Sequence, residues 1–210
     1  MNIGSRTLHG LYAITDSGAV PAMSLAAAVA AAIRGGARLV QYRDKSTDSP
    51  RRTREAESLL ALCREHEVPL IINDDVALAA RLGADGMHLG RGDAPLDEAR
   101  VQLGPRAIIG VSCYDSLERA LAAEQAGADY VAFGSFFASP SKPQAVRAPQ
   151  TLLAEAKQRL NVPICAIGGI TPENGAALVA AGADMLAVIS GLFASADIES
   201  AARSYAQLFN

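Results

Sequence analysis

The chain has 210 residues, a net charge of −3 and 50% hydrophobic residues, enough for one domain with a real core and short for two. No basic block and no interleaving of aromatic with basic residues occurs, so nucleic acid is excluded as the expected partner. The longest alanine-rich run, 25–33, is far shorter than a bilayer span, and the start of the chain lacks the charged-then-apolar pattern of an export signal; no membrane partner and a cytoplasmic location are expected.

In chain order, apolar runs at 10–15, 39–43, 70–73, 86–89, 107–112, 130–134, 163–167 and 185–189 predict strands. Amphipathic or alanine-rich stretches at 24–34, 51–67, 76–82, 96–103, 116–126, 151–160, 172–181 and 198–209 predict helices between and after them. A short repeat punctuates the alternation. Gly36-Ala37-Arg38 is echoed by Gly83-Ala84-Asp85, Gly127-Ala128-Asp129 and Gly182-Ala183-Asp184, each between a helix pattern and an apolar run. Pro69 and Pro163 mark a second kind of junction, where a segment stops and a strand begins.

Strict alternation implies parallel strands joined by right-handed crossovers. Eight units therefore predict an α/β fold, one (β/α)8 TIM barrel spanning residues 1–210, with the active site at the C-terminal ends of the strands. An open doubly wound sheet is the alternative, but it wants a glycine-rich first turn, which Thr15-Asp16-Ser17-Gly18 does not supply.

The polar ends of the apolar runs then share one rim. Gln41, Arg43 and Lys45 alternate onto one side of the second strand, with Tyr42 and Asp44 on the other. Two cations at a strand mouth make a poor core and a good anion site, although a solvated loop is the plain alternative. The third strand runs into Asn73-Asp74-Asp75. Asp75 reads as the cap of the next helix, which leaves Asp74 as the ligand candidate. After the fourth strand, Asp93 follows two glycines, and it either pairs with Asp74 as a hard-oxygen Mg²⁺ site or caps the helix after Pro95.

His88 lies inside its strand and reads as a hydrogen-bonded packing residue. Ser112 offers a hydroxyl at the end of the fifth strand. The longest irregular stretch, 134–149, carries Ser139, Ser141 and Lys142, which suit phosphate oxygens, and long rim loops are often lids or binding loops, although a mere flexible connection is the equal alternative. Gly169, Ile189 and Ser190, after the last two strands, fit the common barrel phosphate site. Cys63, Cys113 and Cys165 are odd in number and widely spaced, which suits packing in a reducing compartment.

Together Gln41-x-Arg43-x-Lys45, Ile72-Asn73-Asp74-Asp75, His88-Leu89-Gly90-x-x-Asp93, Gly110-Val111-Ser112, Ser139-x-Ser141-Lys142, Ile167-Gly168-Gly169-Ile170 and Val188-Ile189-Ser190 resemble the thiamine-phosphate synthase family, in order across nearly the whole chain. The resemblance implies a transferase of thiamine biosynthesis. It would join 4-amino-5-hydroxymethyl-2-methylpyrimidine diphosphate to 4-methyl-5-(2-hydroxyethyl)thiazole phosphate, or the carboxylated thiazole, and release diphosphate with Mg²⁺ required.

Carried over by position, the resemblance implies that Gln41 meets the pyrimidine. Arg43, Lys45, Asn73, Ser112 and Lys142 hold the diphosphate side, with Arg43, Lys45, Ser112 and Lys142 catalytic. Asp74 and Asp93 bind Mg²⁺, and Ser139, Ser141, Gly169, Ile189 and Ser190 hold the thiazole phosphate. Two departures from the family pattern stand out: Ser139-Pro140-Ser141-Lys142 replaces Thr-x-Thr-Lys, and Arg91 replaces the usual Gln.

Three rival readings are a thiazole tautomerase, a sensor of thiamine phosphate without turnover, and a phosphosugar isomerase. The first two would not need both the basic set and the carboxylate pair; the third lacks an acid and base facing each other across the mouth. The partners expected are small molecules, and a homo-oligomer is left open.

Overall fold

Four glycines set the period of the chain. Gly36, Gly83, Gly127 and Gly182 take φ of 110°, 61°, 92° and 113°, values that side chains resist and glycine adopts freely. They follow helices α1 (Leu25–Arg34), α3 (Val76–Leu82), α5 (Leu117–Gln125) and α7 (Pro172–Ala180) and turn the chain into strands β2 (Ala37–Tyr42), β4 (Gly86–Leu89), β6 (Tyr130–Phe133) and β8 (Met185–Val188). The remaining strands are β1 (Gly10–Ile14), β3 (Leu70–Asn73), β5 (Ile108–Tyr114) and β7 (Ile164–Ile167). The remaining helices are α2 (Ser49–Glu65), α4 (Leu96–Leu103), α6 (Thr151–Arg159), the short α8 (Ser190–Phe193) and α9 (Ile198–Ala206). This computed structural model describes residues 8–16, 24–138 and 146–210.

All eight strands are parallel and pair in sequence order, and β8 pairs with β1, so the sheet closes into the expected (β/α)8 barrel. Alternation along each strand builds two cores. Tyr12, Leu39, Ile71, Ile108, Tyr130, Cys165 and Met185 point into the barrel. Leu11, Val40, Ile72, Met87, Ile109, Val131, Ile164 and Leu186 point outward beneath the helices. Each fully buried Leu or Ile is worth about 1.5–3 kcal/mol over exposure, so both faces of the sheet hold the ring closed.

The element boundaries differ from the sequence expectation in several places. Helix α2 starts at Ser49 because the Asp48 carboxylate accepts the Arg51 N–H at 3.0 Å and Pro50 occupies the first turn. Helix α8 lies where a loop is expected. It has no side-chain cap to announce it, and it sits tightly under α9: a Cβ on Gly191 would lie 2.5 Å from Tyr205 Oη. The last helix ends three residues early, at Ala206, and continues as a 3₁₀ turn over Gln207–Phe209. Among the described residues no helix is long and apolar enough to cross a membrane.

Candidate active site at the carboxyl rim

The alternation of β2 sets the first part of the site. Gln41 is 2% exposed and points into the barrel, while Arg43, one step higher on the same side, lines the mouth. Lys45 follows on that side and its ammonium donates to the Asp74 carboxylate. Tyr42 and Asp44 take the opposite side, as the pattern predicts. The Tyr42 hydroxyl donates to Glu55 at 2.8 Å, and Arg51 donates to Asp44 at 2.7 Å. Arg43 is ion-paired with Asp16 at 3.2 Å, and its backbone N–H donates to the Thr15 hydroxyl at 2.9 Å.

Strand β3 ends by splitting two adjacent carboxylates. Asp75 accepts the Leu78 N–H at 2.9 Å, capping α3, and accepts Arg52 at 2.8 Å. Asp74 takes φ of 61°, a left-handed value that is uncommon outside glycine and easier for Asp than for most residues. That turn lets the Asp74 N–H donate to the His88 carbonyl at 3.0 Å and sends its carboxylate toward Lys45 instead of α3.

Asp93 closes the turn after β4 by accepting the Gly90 N–H at 2.5 Å. It does not cap α4, whose N-cap is Pro95 with no side-chain bond. A Cβ built on Gly90 would lie 3.1 Å from Asp93 Oδ2 and 4.0 Å from Asp74 Oδ1, so both carboxylates crowd the same glycine. Burial and the hydrogen bond with Asp74 push the Asp93 carboxyl above the usual range. Burial also works to raise Asp74, but hydrogen bonds with Lys45 and Asp93 outweigh it and hold that carboxyl below the usual range. Among the described residues no third His, Cys, Asp or Glu joins the pair. Two converging hard-oxygen donors, with the other positions left to water and substrate oxygens, fit Mg²⁺.

Inside the barrel, Tyr12, Gln41, Asn73, His88 and Ser112 line one cavity of about 160 Å³ beneath Arg43. Ser112 Oγ lies 2.8 Å from His88 Nε2, and His88 Nδ1 lies 2.9 Å from the Tyr130 hydroxyl. The hydrogen-bonded reading of His88 therefore holds, and the histidine also borders the cavity.

Beside it, Gly168, Gly169, Ile189, Ser190 and Gly191 edge a smaller cleft between the ends of β7 and β8. Gly169 takes φ of 62°, and a Cβ there would lie 2.2 Å from the Ala138 carbonyl oxygen, so only glycine fits. Asn174 donates to the Gly169 carbonyl at 3.1 Å and fixes that peptide from α7. The expected site residues Ser139, Ser141 and Lys142 lie outside the described residues.

Sequence reasoning missed three tyrosines. Tyr12 and Tyr130 are buried in the barrel with their hydroxyls 2.8 Å apart. Their signal was available: a tyrosine on the inward register of a barrel strand needs a partner for its hydroxyl. Tyr114 ends β5 at φ 58°, after a bulge between Ser112 and Tyr114. Its hydroxyl accepts the Arg91 N–H at 3.1 Å, and the Arg91 and Arg119 guanidiniums lie 4.8 and 5.6 Å from its ring centre. The departure at Arg91 is thus accounted for: this cation stacks on Tyr114.

A closed parallel barrel with cations, paired carboxylates and a glycine-edged cleft gathered at its carboxyl rim is the architecture of an α/β-barrel enzyme. The profile of the TMP-TENI family, described as thiamine monophosphate synthase, matches residues 11–192. The thiamine-phosphate synthase of Nitrosococcus oceani is 56% identical over 205 residues, covering 98% of this chain and 94% of that protein. The enzyme of the same name from Thioalkalivibrio sulfidiphilus is 56% identical over 202 residues, 96% of each. Among solved structures, thiamine phosphate pyrophosphorylase from Pyrococcus furiosus superposes with a TM-score of 0.85 at 32% identity, covering 96% of both chains. The chain belongs to the thiamine monophosphate synthase family and is a transferase.

Proposed function

We propose that the mouth joins 4-amino-5-hydroxymethyl-2-methylpyrimidine diphosphate to 4-methyl-5-(2-hydroxyethyl)thiazole phosphate, or to its carboxylated form with loss of the carboxyl group as CO₂, giving thiamine phosphate and diphosphate in the cytoplasm. Family membership makes thiamine phosphate synthesis the activity. The observation that carries the finer reading is the meeting of Arg43, Lys45, Asn73, Asp74, Asp93 and Ser112 at one mouth, beside the Gly169–Ser190 cleft.

In this reading Gln41 orients the pyrimidine ring. Arg43, Lys45, Asn73, Ser112 and Lys142 hold the diphosphate, and Gly169, Ile189 and Ser190, with Ser139 and Ser141, hold the thiazole phosphate. Asp74 and Asp93 would hold Mg²⁺, which when bound offsets negative charge on the diphosphate oxygens. The bond from the pyrimidine methylene to diphosphate oxygen breaks, and its electron pair leaves with diphosphate. The electron-rich aminopyrimidine stabilises the cation left behind, and the thiazole nitrogen supplies the pair for the new C–N bond. That nitrogen carries no proton, so the step needs no general base. The chain's contribution is placement and charge stabilisation. Consistent with this, burial pushes the thiols of Cys63 and Cys113 up to about 12, far from a reactive range.

The test is to mix both substrates with the protein, with and without Mg²⁺, and follow diphosphate and thiamine phosphate together. Equal, metal-dependent appearance of both supports the reading. Rearrangement of the thiazole alone, or tight binding of thiamine phosphate without turnover, would replace it.

A further inference from the structure

A line of hydrogen bonds crosses the floor of the mouth and touches five strands. Gln41 Nε2 donates to the Tyr12 hydroxyl at 2.6 Å. The Tyr12 and Tyr130 hydroxyls are 2.8 Å apart, Tyr130 is 2.9 Å from His88 Nδ1, and His88 Nε2 is 2.8 Å from Ser112 Oγ. Gly110 makes room for it: a Cβ there would lie 1.9 Å from Tyr130 Cζ, so the ring lies where a side chain would stand.

Counting hydrogens gives the line a direction. An amide nitrogen only donates, so Tyr12 accepts from Gln41 and gives its own hydrogen to Tyr130. Tyr130, having accepted, donates to His88 Nδ1. The imidazole hydrogen is then on Nε2 and goes to Ser112, whose own hydroxyl hydrogen turns to the cavity. With Gln41 as it stands, the opposite order would leave the Tyr12 O–H, on a residue 1% exposed, without an acceptor. Burial raises both phenols well above their ordinary range, so both stay hydroxyl donors.

We propose that this line is a selectivity relay, in which the ring edge bound by Gln41 decides whether Ser112 offers a hydrogen to the departing diphosphate. It rests on the reading above, with Gln41 on the pyrimidine and Ser112 on the diphosphate. Gln41 keeps its amide oxygen for the cavity, and that oxygen accepts from an exocyclic amino group. A ring with a carbonyl at that position demands the NH₂ group instead. The amide then turns over, presents its oxygen to Tyr12, and the satisfied order runs the other way. Reversal rotates the hydroxyls of Tyr12, Tyr130 and Ser112 and moves one proton from Nε2 to Nδ1 of His88, with none gained or lost. Ser112 then donates to His88 and shows only lone pairs to an anion. A 4-oxo pyrimidine is therefore penalised at the leaving group as well as at the ring. Tyr12, Tyr130 and His88 are positioning residues in this scheme.

Two measurements test it on the intact protein. The first is the ¹⁵N pattern of the His88 imidazole in the ligand-free protein. A neutral ring with its hydrogen on Nε2 is expected, and a hydrogen on Nδ1 overturns the direction whatever the activity proves to be. The second is a double-mutant cycle with Ser112→Ala and Tyr130→Phe on 4-amino and 4-oxo pyrimidine diphosphates. Ser112→Ala alone should lower kcat on the amino substrate about tenfold or more, but only about threefold in the Tyr130→Phe background, with KM changed less than kcat. Tyr130→Phe should also narrow the amino-over-oxo preference about tenfold. Equal Ser112→Ala factors in both backgrounds, with an unchanged preference, overturn the relay. Tyr12→Phe cuts the same line one residue further from Ser112 and takes the place of Tyr130→Phe if that variant does not fold. A wild-type protein that turns over no pyrimidine diphosphate would sink the reading of the mouth instead, and the His88 tautomer would still decide the direction of the line.

Discussion

At the amino-end rim of the barrel, Asp85, Asp129 and Asp184 accept backbone N–H groups of the neighbouring strands: Leu70 at 2.9 Å, Ile109 at 2.8 Å and Ile164 at 2.8 Å. Asp129 also accepts Arg100 at 2.6 Å, and Asp184 accepts Lys157 at 2.6 Å. At the carboxyl rim, Asp74 and Asp93 face each other, and Lys45 and the Gly90 N–H are the donors that meet them. The residue type is the same, but the source of the partners differs. Below, the chain's own backbone satisfies each carboxylate and ties one strand to the next. Above, the two carboxylates are hydrogen-bonded to each other: Lys45 and that bond favour the charge on Asp74, while burial and the same bond oppose the charge on Asp93.

That contrast can be broken by removing carboxylates one rim at a time. Asp74→Ala and Asp93→Ala should each lower turnover well over tenfold, above about 1.4 kcal/mol of transition-state stabilisation. In the ligand-free protein Asp74→Ala loses the Lys45 pair and puts alanine at a φ of 61°, so it should melt lower. Asp93→Ala should melt close to the wild type, because burial and Asp74 already oppose its charge. Steady-state rates and a thermal melt read the two effects; near-normal rates in both variants would contradict the diphosphate-departure chemistry. Asp184→Ala should cost stability and spare turnover. Loss of the acceptor for the Ile164 N–H should cost about 1–3 kcal/mol in denaturant unfolding, with kcat of the folded enzyme kept within about twofold.

A smaller effect sharpens the comparison at the upper rim. Tyr114→Phe keeps the ring between Arg91 and Arg119 but removes the acceptor of the Arg91 N–H, loosening the turn that carries Asp93. About 1 kcal/mol of lost restraint should raise the Mg²⁺ concentration for half-activity severalfold, and Mn²⁺ binding followed by electron paramagnetic resonance should weaken in parallel, with kcat at saturating metal little changed. The smallest effect is a null one. Cys63, Cys113 and Cys165 are buried, and burial raises all three thiols, so an aromatic disulfide reagent at pH 8 should label none of them until the protein unfolds.

Much of this was legible before any coordinates. The Gly-Ala-Asp copies marked helix ends and strand starts because only glycine takes positive φ cheaply at a helix stop. The alternation of Gln41, Arg43 and Lys45 against Tyr42 and Asp44 came from the two-residue period of a strand. Asp75 read as a cap and is one. What the copies did not disclose is the work of their aspartates, since an acceptor and the N–H it meets lie 15 to 20 positions apart. Asp93 stayed ambiguous for a related reason: a carboxylate two residues before a proline fits either a cap or a ligand, and its turn had to be seen closing on Gly90.

By itself, then, the sequence determined the order and kind of elements, the closure into eight units and the set of polar residues at the strand ends. These follow from local rules of backbone conformation and from the periods of helix and strand. Only the tertiary structure decided which of those residues share an oxygen or a hydrogen. Tyr12 and Tyr130 are 118 positions apart and meet because a closed barrel sends both rings into one interior, and no local pattern carries the direction of a hydrogen bond across that distance.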